Sequence, residues 1–197
     1  MAWYKITVGY DGSNFCGWQA QDGQRTVQGV FESAWRAITG ESLRVTASGR
    51  TDAGVHAYGQ VVGLETSASL GPEKIVRALN AKLPSDVVVR SAEVAPPKFH
   101  ATLDAIRKRY RYVIYNDWRP PLFWRRYAWH CPVALDVDAM QHAANRMLGT
   151  HDLASFQSAG SPRTSTVRTL FEIDVARRET EEGGPPMGGA MEVAPLL

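Results

Sequence analysis

Cysteine is scarce. Cys16 and Cys131 are the only two among 197 residues, and no C-x-x-C pair occurs. A disulfide framework and a thiolate zinc site are therefore not expected, and a reducing cytoplasm is the default. Long apolar runs are missing too, so no segment reads as a membrane span. The opening residues MAWYKITVGYDGS carry no basic stretch followed by an apolar one, so no secretion signal is expected. Neither charge sign dominates, with 22 Lys and Arg against 20 Asp and Glu. The phosphate-loop spacing G-x-x-x-x-G-K-[ST] is absent. His56, His100, His130, His142 and His151 show no i,i+4 pair, so no metal site is expected. What is present is an ordinary globular composition, 44% hydrophobic and 21% charged. The length suits one large domain or two small ones with a real core.

Periodicity predicts the order of elements. Tyr4, Ile6, Val8 and Tyr10 alternate with Lys5, Thr7 and Gly9, which is a strand with one buried face. Thr26 is placed to cap a helix carrying Val27, Val30, Phe31, Ala34 and Ile38, and Gly40 stops it. Leu43, Val45 and Ala47 alternate again, and GQVVGLET reads as the returning strand. Pro72 opens a second helix with Ile75, Val76, Leu79 and Leu83, closed by Pro84-Ser85-Asp86, and VVVRSAEV follows as a strand. Strand, helix, strand, strand, helix, strand is the split β-α-β order of ferredoxin-like folds, an α+β class with helices on one face of an antiparallel sheet. After Pro96-Pro97 the pattern restarts. RKRYRYVIYN is a strand, Asp136 caps a helix with Met140, Ala144, Met147 and Leu148, and TVRTLFEIDVAR is another strand. The expected domains are 1–97, an incomplete second half over 98–178, and a disordered or loosely attached tail over 179–197. That tail is rich in Gly, Pro and Glu without a sustained period. A half-sheet left incomplete would have an open edge.

Two features carry chemistry. SGRTDAGVHA, residues Ser48 to Ala57, sets Arg50 and Asp52 two apart between Gly49 and Gly54. Glycines permit conformations closed to other residues and a close approach to a ligand. Asp52 in such a loop suits a nucleophile, a base, a metal ligand or the side chain of an Asx turn. The second feature is RKRYRY (Arg107 to Tyr112) and WRRY (Trp124 to Tyr127), which interleave cations with aromatics. Guanidinium groups answer phosphates and flat rings stack on bases. The plainer reading is a strand with a charged outward face.

GRTDAGVHA resembles the signature of the TruA family of tRNA pseudouridine synthases. YDGSNFCGWQ, RTVQG, LPSDVVV, FHA, KRYRYVIYN and MLGTHDLASF resemble further segments of that family in the same order, across roughly residues 3 to 177. The resemblance implies two ferredoxin-like halves and an enzyme that isomerises uridine to pseudouridine without cofactor or metal. It places Asp52 as the catalytic aspartate, either adding covalently to the nucleoside or taking a sugar proton. Tyr110 matches the tyrosine that stacks on the target base and is a candidate to take the C5 proton. Arg50 matches the arginine that fills the gap left by a flipped-out base, and an ion pair with Asp52 is its alternative role. Lys108, Arg109, Arg111, Arg125 and Arg126 are then candidates for the RNA backbone. The implied substrate is the anticodon arm of tRNA, and the implied working form is a homodimer with a basic cleft.

The resemblance stops before the tail. Family members run further, through a strand that completes the second half-sheet and an arginine that pairs with the catalytic aspartate. Nothing in 179–197 matches either, so the expectation is a C-terminally truncated or frameshifted member in which Arg50 alone attends Asp52. A catalytically inactive remnant that binds tRNA is the alternative function.

Overall fold

The computed structural model describes residues 1–157, 165–177 and 190–195, and it is α+β with mainly antiparallel strand pairing. The chain divides into two units, Met1–Ala105 and Ile106–Leu197. The division falls beyond Pro96-Pro97, where the sequence suggests it, because the residues after the prolines pack on the first unit. The Phe99 ring lies against Gly63, where an added Cβ would come within 3.2 Å of it. The Thr102 hydroxyl donates to the Ala47 carbonyl at 2.6 Å.

In the first unit the order is β1 (Ala2–Tyr10), α1 (Val27–Thr39), β2 (Thr46–Ala47), β3 (Ala57–Thr66), α2 (Pro72–Asn80) and β4 (Val87–Ala95). The strands form one antiparallel sheet in the order β2-β3-β1-β4, with Ile6 opposite Val62 on one side and Ala92 on the other. Tyr4, Ile6, Val8 and Tyr10 alternate inward as the two-residue period requires, and they share a core with Phe31, Trp35, Ile75 and Leu79 from the helices. Burying such side chains contributes about 1.5–3 kcal/mol each. The helix ends follow from local chemistry. Thr26 Oγ1 accepts from the Gly29 amide, and Gly40 stops α1 in the left-handed conformation at φ 79°. Pro72 opens α2, whose missing amide hydrogen has no helical partner at that position anyway. The alternation through Leu43 and Val45 yields only the short β2. Glu41 and Glu32 take up backbone and hydroxyl groups around that stretch instead, Glu32 accepting from the Val45 amide at 3.1 Å.

In the second unit the order is β5 (Lys108–Arg111), β6 (Ile114–Tyr115), β7 (Trp129–His130), α3 (Val137–Asn145), β8 (Gly149–Asp152), β9 (Val167–Asp174) and β10 (Ala190–Pro195). The strand expected over 107–116 is broken. β6 leaves the direction of β5 to pair in parallel with β7, where the Asn116 amide donates to the carbonyls of Cys131 and Val133. Asp136 caps α3 as expected, its carboxylate accepting from the Ala139 amide at 2.9 Å. The helix ends at Asn145, short of Met147 and Leu148. Gln141 ties α3 to β9, donating to the Ile173 carbonyl and accepting from the Val175 amide.

The tail requires a correction. Residues 190–195 are not a loose end but β10, which lies between β5 and β9 in the antiparallel order β5-β10-β9-β8. The backbone groups of β5 and β9, expected to face an open edge, are paired there. Short β-compatible runs such as AMEVAP lack enough period to be recognised without their neighbours. Residues 179–189 and 196–197, the rest of that tail, lie outside the described residues.

Candidate functional site

The chain between β2 and β3 carries Arg50 and Asp52, both exposed. Neighbouring backbone holds the loop on both sides of Asp52. The Trp18 amide donates to the Thr51 carbonyl at 3.0 Å, and the Gly54 amide donates to the Phe15 carbonyl at 3.3 Å. The Val55 amide closes a turn onto the Asp52 carbonyl at 3.2 Å, with Gly54 at φ 80° inside it. The partner segment, Asp11 to Trp18, approaches so closely that side chains are excluded. A Cβ on Gly12 would lie 2.0 Å from the Val55 carbonyl oxygen, and one on Gly17 would lie 2.6 Å from that of Thr51. Gly17 also has φ +83°.

That segment is itself anchored to α1 and to the start of β4. The Asp11 amide donates to the Asp86 carbonyl, and the Val27 and Gln28 amides donate to the carbonyls of Gly17 and Trp18. Arg25 forms a two-point ion pair with Asp86 at 2.9 Å per bond and stacks over the Phe15 ring at 4.0 Å. Hydrogen bonding to Asp86 raises the pKa of the Arg25 guanidinium, with burial opposing it.

His56 closes the loop's far end. Its Nδ1 lies 3.1 Å from the Gly12 amide and 3.0 Å from Asp11 Oδ1. A nitrogen that accepts from Gly12 carries no proton, whereas one that donates to Asp11 carries one. The two contacts therefore require opposite proton placement at Nδ1, one tautomer of the ring for each.

Arg50 and Asp52 form no ion pair with each other among the described residues. The charge-holding role considered for Arg50 is thus not made in this structure. The same described residues contain no group of three or more His, Cys, Asp or Glu fit to hold a metal ion.

The remaining sequence candidates lie in the second unit. Lys108, Arg109, Tyr110 and Arg111 make up β5, and strand geometry divides them between two faces, Lys108 with Tyr110 and Arg109 with Arg111. Tyr110 is 45% exposed, enough for a ring face to meet a base. Arg109 pairs with Glu172 of β9 at 3.9 Å. Arg125 and Arg126 are exposed in a turn closed by the Tyr127 amide on the Trp124 carbonyl. Exposed Trp118, Leu122, Phe123 and Trp129 surround them in sequence. No helix among the described residues is long and apolar enough to cross a membrane.

Sequence reasoning missed the residues that hold the loop. Gln60 heads an inward row that continues through Val62, Leu64 and Thr66, and a long amide side chain at a core position was the available signal. Tyr10 was read as core and as the start of the family-like YDGSNFCGWQ, not as an anchor of the loop.

Comparison with known proteins follows the same residues. A family model described as tRNA pseudouridine synthase matches residues 6–104 and 143–186. The tRNA pseudouridine synthase A of Geobacillus sp. (strain WCH70) is 46% identical over 176 residues, 89% of this chain and 71% of that protein. That of Moorella thermoacetica is 47% identical over 183 residues, 92% of this chain and 72% of that protein. That of Bacillus subtilis is 43% identical over 181 residues, with 91% and 72% covered. With the loop geometry and these matches together, the chain belongs to the tRNA pseudouridine synthase family.

Proposed function

We propose that this chain isomerises uridine to pseudouridine in tRNA, with Asp52 as its catalytic carboxylate. The observation that carries the reading is the loop itself. Asp52 stands exposed while the backbone on either side of it is held by Trp18 and Phe15. Rigid placement of a reacting group accounts for a large part of catalysis.

The reaction is redox-neutral. The N1–C1′ bond breaks, the base turns, a C5–C1′ bond forms, the C5 proton leaves and N1 gains one. Asp52 either adds covalently to the nucleoside or removes a sugar proton. Tyr110 stacks on the base and stands as the acceptor of the C5 proton. An ordinary tyrosine with pKa near 10 is a weak base, so stacking is its firmer role. Arg50 occupies the space of the extruded base. Lys108, Arg109, Arg111, Arg125 and Arg126 meet the phosphate backbone and supply affinity rather than sequence choice.

The finer expectations belong to this reading too: the anticodon arm as target, a homodimer and a cytoplasmic location. The first unit's order β2-β3-β1-β4 supports reading it as a ferredoxin-like half.

The test is pseudouridine formation on an unmodified tRNA transcript, with Asp52→Ala alongside. Product that falls by about 10³-fold or more in the variant, with tRNA binding kept, is the expected outcome. No product from the wild-type chain, with salt-sensitive tRNA binding retained, would instead identify a member that holds RNA without turning it over.

A further inference from the structure

Beneath the loop lies a polar network that the reaction chemistry does not use. Gln60 is 8% exposed and Tyr10 5%. The Gln60 amide oxygen accepts from the Ser48 hydroxyl at 2.6 Å, and its NH₂ donates to the Gly49 carbonyl at 2.5 Å. Tyr10 Oη lies 2.8 Å from Thr51 Oγ1. Burial pushes the Tyr10 pKa up, as expected of a phenol kept neutral in a core. The residues gripped are Ser48, Gly49 and Thr51. The residues between and after them, Arg50 and Asp52, are exposed.

We infer that Tyr10 and Gln60 are positioning residues for Asp52, holding the near side of its loop from below while Trp18 and Phe15 hold it from the side. The inference rests on the reading of Asp52 given above. Connecting segments are ordinarily the mobile part of a fold, and a buried primary amide is unfavourable unless its groups are bonded. Gln60 stands opposite Val8 on β1, at a position where an apolar side chain would pack without that requirement. Its polar atoms are bonded to the loop, so the arrangement exchanges simple packing for a fixed backbone. Small displacements of a reacting group weigh heavily on rate, which gives the network its functional consequence.

The experiment uses Tyr10→Phe, which removes only the hydroxyl, and Gln60→Met, which keeps length and loses every hydrogen bond. Thr51→Val removes the partner hydroxyl, and Thr51→Ser restores it. Two readouts are taken on folded protein: amide exchange at Trp18, Ser48 and Gly54, and the separate kcat and KM on a tRNA transcript. The network predicts loop exchange faster by about three- to tenfold, from the loss of one or two hydrogen bonds. It also predicts a kcat lowered at least as much, KM near wild type, and Thr51→Ser close to wild type. Unchanged loop exchange in both Tyr10→Phe and Gln60→Met overturns the inference, as does a loosened loop with unchanged kcat. Where the wild-type chain forms no pseudouridine, exchange alone decides. Faster exchange then upholds the anchoring while the catalytic reading falls, and unchanged exchange removes the anchoring.

Discussion

The two units place their functional side chains on opposite kinds of ground. In the first, Asp52 stands on a loop braced by backbone hydrogen bonds, above a core that holds all the largest fully buried side chains, Trp35, Phe31, Ile6 and Ile75 among them. In the second, cations and rings stand on short strands and turns. Only Ala144 and Leu170 are buried hydrophobics there among the described residues, while Trp118, Phe123 and Trp129 are open to solvent. The difference suits the two tasks proposed above, chemistry at a uridine and grip on a phosphate backbone. A reacting carboxylate must be held in one place. A phosphate backbone is met by charge density, which tolerates adjustable side chains.

The sharpest way to test that contrast is to damage each unit equally. Phe31→Ala, in the buried core, is expected to destabilise the protein by about 3–5 kcal/mol. Phe123→Ala, at 76% exposure, should stay within about 0.5 kcal/mol. Thermal or urea unfolding of the two variants measures the gap, and equal losses would break the comparison.

Next in size is the glycine lock. Gly12→Ala forces a Cβ onto the Val55 carbonyl and should lower stability by about 1–3 kcal/mol. Product formation should drop further than the change in stability explains, because the displaced backbone is that of Asp52's own loop. Gly23→Ala is the control, since nothing lies within 4 Å of its added Cβ, although its φ of +71° brings some strain.

On the binding side, Arg111→Ala and Arg125→Ala should each weaken tRNA binding uniformly across sequences and reduce the salt slope by about one. A titration over salt concentration checks this, and kcat at saturating tRNA should hold. A fall in kcat alone would move these residues into the chemistry.

Smaller still is the acid response. Hydrogen bonds from Ser67 and Thr66, with lesser help from the Ser67 amide and Trp35, hold the Glu41 carboxylate down at about 2, against an ordinary 4.5. A folded-state pKa below the unfolded one adds stability above the unfolded value and loses it as pH falls through the folded one. Wild type should therefore lose an increment between about pH 4.5 and pH 2 that Glu41→Gln lacks. Midpoints measured across that window decide it. Smallest of all is Glu93→Ala. Its pair with Lys5 at 2.7 Å is exposed on both sides, so the change should stay below about 0.5 kcal/mol.

Legibility varied with the kind of signal. The caps at Thr26 and Asp136, the stop at Gly40 and the start at Pro72 are local events, and each stands where its sequence places it. The long strand through Tyr112 was misread because alternation continues across a point where Asn116 pulls the chain toward β7. Trp35 was absent from the predicted helix face, although it is among the most deeply buried side chains of α1. β10 was unreadable because its six residues lack a sustained period and one of its two partners, β5, lies far back in the chain.

The local sequence determined the helix boundaries, the alternation of the first sheet's strands and the presence of the glycine-flanked GRTDAGVHA motif, since each is read from residues within a few positions of one another. Tertiary structure alone decided that Gly12 and Gly17 must be glycine, that Gln60 turns inward beneath the loop, and that residues 190–195 become a strand between two others. Those outcomes depend on atoms brought together from distant segments, and spacing along the chain carries no record of such meetings.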